Sequence, residues 1–163
     1  MKQRIPLILL LLGISLFSCA QQATTVQLLT DQPGFSLVDI QLGQTSMRKV
    51  QTPRGEQLLV QVDKGTSMLQ AGAPDVPQLS FSLIVPNQKN AVVTVVESQY
   101  TDYPMVSLAP SKGKIYRNQL PSQIPYTYGK EYEQNAFFPA ATAVLSTPYV
   151  LRDFRGQTVQ VRP

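Results

Sequence analysis

Short runs of β-branched, aromatic and leucine residues, separated by clusters of glycine, proline and asparagine, recur along the chain after its first 20 residues. Helical spacing of apolar residues is hard to find there. Four of these runs, at residues 35–42, 57–62, 79–85 and 91–97, have about the length of a typical strand, roughly 5 to 8 residues. Strand-length runs between turn-forming residues predict an all-β protein.

The run at 79–85 has the side-chain alternation typical of a strand. Its large apolar side chains stand two residues apart, and they are Leu79, Phe81, Leu83 and Val85. That spacing puts them on one face of a pleated strand. The turn-forming sequence at 86–90 then leads into the valine-rich run 91–97, so we expect these two runs to pair as an antiparallel hairpin.

A second hairpin is predicted near the end of the sequence. Residues 149–154 and 157–161 flank Arg155 and Gly156, and glycine tolerates the positive φ that tight connections need. Between the hairpins, residues 104–148 contain six prolines, which predict a long ordered connection with an edge strand near residues 126–132. Packing two such sheets face to face gives an antiparallel β-sandwich or jelly roll.

The first 20 residues have the pattern of an export signal. Lys2 and Arg4 precede a nearly uninterrupted apolar run, which is shorter than the roughly 20 residues that cross a membrane. Two cleavage patterns compete, because residues 16–19 form a lipobox that would leave Cys19 lipidated, whereas ordinary cleavage would follow Ala20. We therefore expect a signal at 1–20 and one domain at 21–163, with membrane contact only through the leader or a lipid on Cys19.

The residues after the leader lack the side chains that several kinds of catalysis and metal binding need. Cys19 is the only cysteine and the sequence has no histidine, so a thiolate with an imidazole base is not available. The acidic residues are dispersed and the glycines form no phosphate-binding motif, so we expect neither a metal nor another cofactor. We therefore do not expect the chain to be an enzyme by itself.

Net charge indicates which classes of partner the chain could bind, and composition indicates whether it is compact or disordered. Without residues 1–20 the chain has 12 basic and 10 acidic residues, and its net charge falls from +4 to +2. The basic residues are scattered, which argues against nucleic acid as a partner. Hydrophobic residues make up 43% of the sequence and charged residues 15%, a balance typical of a compact domain and not of a disordered one.

Two clusters are candidate binding residues. Lys112, Lys114 and Arg117 lie on a loop bounded by Pro110 and Pro121, although residue types alone favour plain solvated charges there. Five aromatic residues follow, namely Tyr126, Tyr128, Tyr132, Phe137 and Phe138. Aromatic side chains suit an interface or a core, and we expect these to pack in the core.

Several blocks resemble the prodomains of gingipain-type cysteine peptidases, in the usual order for that family and over roughly residues 30–163. The blocks are Gly72-Ala73-Pro74-Asp75-Val76-Pro77 with the strand after it, Ala109-Pro110-Ser111-Lys112-Gly113, Tyr116-Arg117-Asn118, Ile124-Pro125-Tyr126, Phe137-Phe138-Pro139 and residues 149–159. The resemblance implies a prodomain that keeps a caspase-like catalytic domain latent and assists its folding.

The same resemblance implies export by the type IX route of Bacteroidetes, through the periplasm to the cell surface or medium. The partner would be the catalytic domain downstream in the precursor, and no catalytic residue transfers to this chain. Family prodomains continue for another strand or more after the Arg-Gly hairpin, so a sandwich without its last strand or strands is also implied.

Arg117 stands where arginine-specific gingipains carry the prodomain's basic residue that fills the specificity pocket. The resemblance therefore implies inhibitory contacts from Arg117, with Lys114 and Lys112 on the same loop. Residues 118–121 depart from the acidic sequence common after that basic residue. A free-standing surface β-sandwich lipoprotein that binds protein or glycan is the alternative.

Overall fold

The structure, a computed structural model, describes residues 23–87 and 90–163. Nine strands lie within them: β1 (Thr25–Gln32), β2 (Phe35–Gln41), β3 (Thr45–Thr52), β4 (Gly55–Val62), β5 (Thr66–Ser67), β6 (Pro77–Ile84), β7 (Ala143–Leu145), β8 (Tyr149–Leu151) and β9 (Phe154–Val161). Two short 3-10 helices, Pro121–Gln123 and Lys130–Tyr132, are the only helical elements of this part of the chain. The predicted all-β class with antiparallel sheets is confirmed.

The strands form two hairpins and one larger sheet. β1 pairs with β2, with an irregular register between Leu28 and Thr30, and β3 pairs with β4. The larger sheet has the order β5-β6-β9-β7, and β8 pairs with β9 as well. Its centre is the β6–β9 pair, where Leu79 lies opposite Val161 and Phe81 opposite Val159. Leu79 and Val159 are only 3% and 6% exposed, so their shared face forms the core.

The predicted hairpin between residues 79–85 and 91–97 is wrong. β6 pairs with β9, about 75 residues further along the sequence, and the described residues 90–107 contain no strand. Val92 and Val96 are 86% and 81% exposed. The turn sequence at 86–90 fits a hairpin, but β9 gives the apolar face of β6 matching apolar partners, and cross-strand packing decides the pairing.

The second hairpin is present, but its turn lies three residues earlier than expected. β8 pairs with β9, and Arg152 and Asp153 make the turn, with Arg152 at φ +55°. Gly156 is instead a strand residue that lies against Tyr149. A Cβ there would come within 2.7 Å of the Tyr149 ring, so this glycine permits a close approach and forms no turn.

Residues 104–148 form the predicted long connection, interrupted by the short strand β7. The edge strand expected near residues 126–132 is wrong, because Lys130–Tyr132 is a 3-10 helix in the structure. β1 and β3 have no counterpart among the predicted strands. Both contain many polar residues, and burial along them is slight, so they lack an apolar run of the kind that marks β6.

Candidate functional site

A loop that carries the three predicted basic residues leaves the fold from a buried segment. Residues 112–126 are called the basic loop below. Immediately before it, Ala109 and Pro110 are fully buried and Ser111 is only 2% exposed. The Ser111 hydroxyl accepts a hydrogen bond from the Gly113 N–H at 3.2 Å, which fixes the direction in which the loop leaves. The loop thus starts from a defined position.

Residues 109–115 form the outgoing limb, and backbone hydrogen bonds hold its first residues on both sides. Ser111 exchanges bonds with its neighbours in the 71–75 segment: the Gly72 N–H donates to Ser111 O at 2.9 Å, and the Ser111 N–H donates to Ala73 O at 2.8 Å. On the opposite side, the Ala109 N–H donates to the carbonyl of Leu58 in β4 at 2.8 Å. Residues 109–111 therefore sit between the 71–75 segment and β4.

Residues 120–129 form the returning limb, which comes back to the same segment. The Gly129 N–H donates to Gly72 O at 2.8 Å, so residue 72 contacts both the outgoing and the returning limb. Gly113, at φ +74°, passes so close to Ala71 that an added Cβ would lie 2.9 Å from the Ala71 Cβ. Both the outgoing and the returning limb are thus anchored on residues 71–73.

Arg117 occupies the corner of a tight turn at the tip. The Gln119 N–H donates to Tyr116 O at 2.9 Å, which makes residues 116–119 a four-residue turn with Arg117 and Asn118 in the middle. The Gln119 side chain closes it from the other direction by accepting the Tyr116 N–H at 3.1 Å. Arg117 and Lys114 are exposed, so this turn presents charge to solvent.

Lys112 differs from the other two basic residues because its ammonium stays inside the loop. Its Nζ donates to the carbonyl of Pro121 at 2.7 Å and lies 4.4 Å from the centre of the Tyr126 ring. The side chain is half-buried. It therefore joins the outgoing and returning limbs below the turn.

Aromatic and polar side chains support the loop from behind. Tyr128 and Tyr132 meet edge to face with their centroids 4.9 Å apart, and the Arg54 guanidinium lies 4.0 Å above the Tyr128 ring. The Tyr128 hydroxyl donates to Thr52 Oγ1 at 2.8 Å and also contacts Gln57 Oε1. These contacts join the returning limb to β3, β4 and the turn between them.

Tyr132 completes this support. Its hydroxyl donates to the carbonyl of Leu108 at 3.0 Å, just before the outgoing limb. Burial raises the pKa of Tyr132 well above its ordinary value, with a further contribution from nearby Tyr128. The neutral hydroxyl is therefore the form that the folded chain favours.

Core packing is only partly correct for the five aromatic residues. Tyr126, Tyr128, Tyr132 and Phe138 are half-buried, but Phe137 is 97% exposed, so the core prediction is wrong for that residue. The sequence shows the apolar ring of Phe137 but not that residues 133–137 lie on the surface. Exposure depends on contacts made far away in the sequence.

The structure brings all three predicted basic residues onto one loop, with Lys112 turned inward and the other two outward. Sequence reasoning missed Gln119, whose side chain closes the turn three residues after Tyr116. Cys19 and the proposed export signal lie outside the described residues. Among residues 23–87 and 90–163, no group of three metal-ligating side chains is close enough to hold an ion, and no helix is long and apolar enough to span a membrane.

The chain is similar in sequence to two gingipains. Gingipain R1 of Porphyromonas gingivalis is 40% identical over 132 residues, which cover 81% of this chain and 13% of that protein. Gingipain R2 of the same species is 38% identical over 138 residues, which cover 85% of this chain and 19% of that protein. The chain thus spans less than a fifth of the length of these relatives.

Solved structures agree on the fold. The complex of the P. gingivalis RgpB pro- and mature domains contains a chain that matches with a TM-score of 0.81 and 38% identity, covering 85% of this chain and 73% of that one. A structure addressing the zymogenic latency of P. gingivalis gingipain K matches with a TM-score of 0.68 at 18% identity, covering 90% of this chain and 82% of that one. The second match supports the fold alone.

The family model described as Propeptide_C25 matches residues 18–163, nearly the whole chain. Together with the identity to gingipains R1 and R2, this match decides the family. The chain belongs to the Propeptide_C25 family and is a prodomain of the gingipain type.

Proposed function

We propose that this prodomain keeps a gingipain-type cysteine peptidase latent by placing the basic loop in the active-site cleft, with Arg117 in the specificity pocket and Lys114 contacting its rim. The observation that carries the proposal is the position of Arg117 at the corner of the exposed 116–119 turn. A side chain at such a corner points away from the body and can enter a cleft. The anchored limbs would hold it there.

Arginine suits this task for physical reasons. Its planar guanidinium offers several donors in a fixed fork, so a pocket carboxylate can accept paired charge-assisted hydrogen bonds from it. The loop is closed by its own hydrogen bonds before any partner arrives, which lowers the entropy that binding costs. A short, pre-formed loop with one basic anchor is therefore an efficient way to block a cleft.

The relatives support a peptidase domain as the partner. The RgpB pro- and mature domains form a complex, and the matching chain of that complex is 38% identical to this one. We infer that the partner here is the cysteine peptidase domain of the same precursor. This prodomain would then act as a latency factor with no catalysis of its own.

Titration of that mature peptidase with the wild-type chain and with Arg117→Ala tests the proposal. If Arg117 is the anchor, its loss should weaken inhibition by at least about 2 kcal/mol, roughly thirtyfold in the inhibition constant. Lys114→Ala is the matched control, because it removes an exposed positive charge from the same loop and should have a smaller effect. Equal inhibition constants for wild type and Arg117→Ala would remove Arg117 from the mechanism.

We further propose that the prodomain assists folding of the peptidase and that the precursor is exported, through the periplasm to the cell surface or medium. Residues 1–20 would be the export signal and 21–163 the prodomain, with Cys19 as the lipid attachment site if the lipobox is used. Refolding the denatured peptidase with and without this chain tests the folding role. An unchanged yield of active enzyme would rule it out.

A further inference from the structure

Lys112 is the one basic residue of the loop whose charge is used inside the loop itself. Its stem begins next to the buried Ser111, and its ammonium reaches across to the Pro121 carbonyl at 2.7 Å. This hydrogen bond joins the outgoing limb at Lys112 to the returning limb at Pro121, nine residues further along the sequence. Among the side chains of residues 112–126, only that of Lys112 makes a hydrogen bond between the outgoing and the returning limb.

The ring of Tyr126 lies close enough to hold the same ammonium. The distance of 4.4 Å from Nζ to the ring centre is within the range of a cation–π contact. The Pro121 carbonyl and the Tyr126 ring therefore approach one cation, and both belong to the returning limb. A lysine that has these two partners has less of its charge available for another protein.

The two contacts of Lys112, together called the brace from here on, lie next to the turn that presents Arg117. Pro121 begins the short 3-10 helix Pro121–Gln123, in which the Gln123 N–H donates to Leu120 O at 3.0 Å. Leu120 and Pro121 immediately follow Gln119, which closes the tip. Fixing the Pro121 carbonyl therefore fixes the returning side of the turn that carries Arg117.

We propose that Lys112 is a positioning residue, which braces the two limbs of the basic loop through the Pro121 carbonyl and the Tyr126 ring and so sets the place of Arg117 before any peptidase binds. This inference rests on the proposed function for its consequence in inhibition, but the brace itself belongs to the free chain. A peptidase would gain affinity from the brace without touching Lys112, because the binding-competent loop is already populated.

Amide hydrogen exchange of the free, full-length chain tests the brace directly. Lys112→Met keeps the apolar stem and removes the cation, and it should speed exchange of the Gln119 and Gln123 amides about three- to tenfold. Lys112→Arg keeps a cation that can stack on Tyr126 and donate to Pro121, so it should restore slow exchange. Lys114→Met is the matched control and should leave exchange unchanged.

Inhibition of the peptidase domain of the same precursor is measured with the same variants. Lys112→Met should weaken inhibition by about the factor by which it speeds exchange, and Lys112→Arg should restore it. Tyr126→Leu should weaken the brace less, because the hydrogen bond from Lys112 to the Pro121 carbonyl remains. Combining it with Lys112→Met should add little, because Lys112→Met already removes the contact with the ring.

The outcomes separate the two proposals. Weaker inhibition by Lys112→Met with unchanged exchange would make Lys112 a direct contact with the peptidase and overturn the brace. If Lys112→Met changed neither exchange nor inhibition, the brace would also be overturned. Faster exchange that Lys112→Arg reverses supports the brace even if Arg117→Ala leaves inhibition intact. In that case the proposed function fails while the positioning role of Lys112 stands.

Discussion

Replacing Gly113 by alanine tests how the basic loop is joined to the fold. Gly113 is buried at φ +74°, a conformation that costs a residue with a Cβ about 1–2 kcal/mol. The new methyl would also lie 2.9 Å from the Ala71 Cβ, and relieving such overpacking costs typically about 1–3 kcal/mol. We therefore expect Gly113→Ala to lower the free energy of unfolding by about 2–5 kcal/mol.

Two further variants separate these contributions. Gly34, at φ +113°, has no atom within 4 Å of an added Cβ, so Gly34→Ala should show the backbone cost alone. In a chain that already carries Ala71→Gly, the methyl clash is absent. Gly113→Ala should therefore cost about 1–3 kcal/mol less in that background than in the wild-type chain.

Urea unfolding followed by far-ultraviolet circular dichroism and tyrosine fluorescence measures these values, since the sequence contains no tryptophan. A Gly113→Ala variant as stable as the wild type would refute the close approach to Ala71. If Gly113→Ala costs as much in the Ala71→Gly background as in the wild-type chain, the Ala71 methyl is not the obstacle.

Three other predictions follow from the supporting contacts and the leader. Because the pKa of Tyr132 is raised by burial, its stabilising contribution is full below its ordinary pKa of about 10 and is lost as pH rises through the folded-state pKa. The stability difference between wild type and Tyr132→Phe should therefore shrink in alkaline urea titrations; a constant difference would contradict this. Gln57→Leu removes a buried partner of the Tyr128 hydroxyl and should cost about 1–3 kcal/mol in urea unfolding, whereas Gln61→Leu, at an exposed position of the same strand, should cost less than about 0.5. Intact-mass measurement of the exported protein should show loss of residues 1–20, or of 1–18 with lipid on Cys19; retention of Met1 would exclude both.

The extent to which the fold was predictable differs between its elements. The alternation of Leu79, Phe81, Leu83 and Val85 was enough to place β6 and its apolar face, because side-chain alternation is a local property of a strand. Its partner was not predictable in the same way. A turn sequence at 86–90 favours the nearest run, whereas the observed pairing with β9 depends on apolar matches that a local pattern does not contain.

The candidate site shows a similar division. The proline-bounded interval and its basic residues were visible in the sequence, and the resemblance singled out Arg117. The inward direction of Lys112 was not predictable, because the Pro121 carbonyl and the Tyr126 ring are brought to it only by the folded loop. Likewise, the contact of both limbs with Gly72 joins residues that are far apart in sequence.

The anchoring of both limbs on residues 71–73 makes the tip of the basic loop exchangeable. The buried backbone hydrogen bonds lie at residues 109–111 and at Gly129, whereas the 116–119 turn is held by bonds within itself. New four-residue turns can therefore be grafted onto this frame without disturbing the sheets. A library of such grafts would convert the prodomain into a scaffold for inhibitors directed at peptidases with other side-chain preferences.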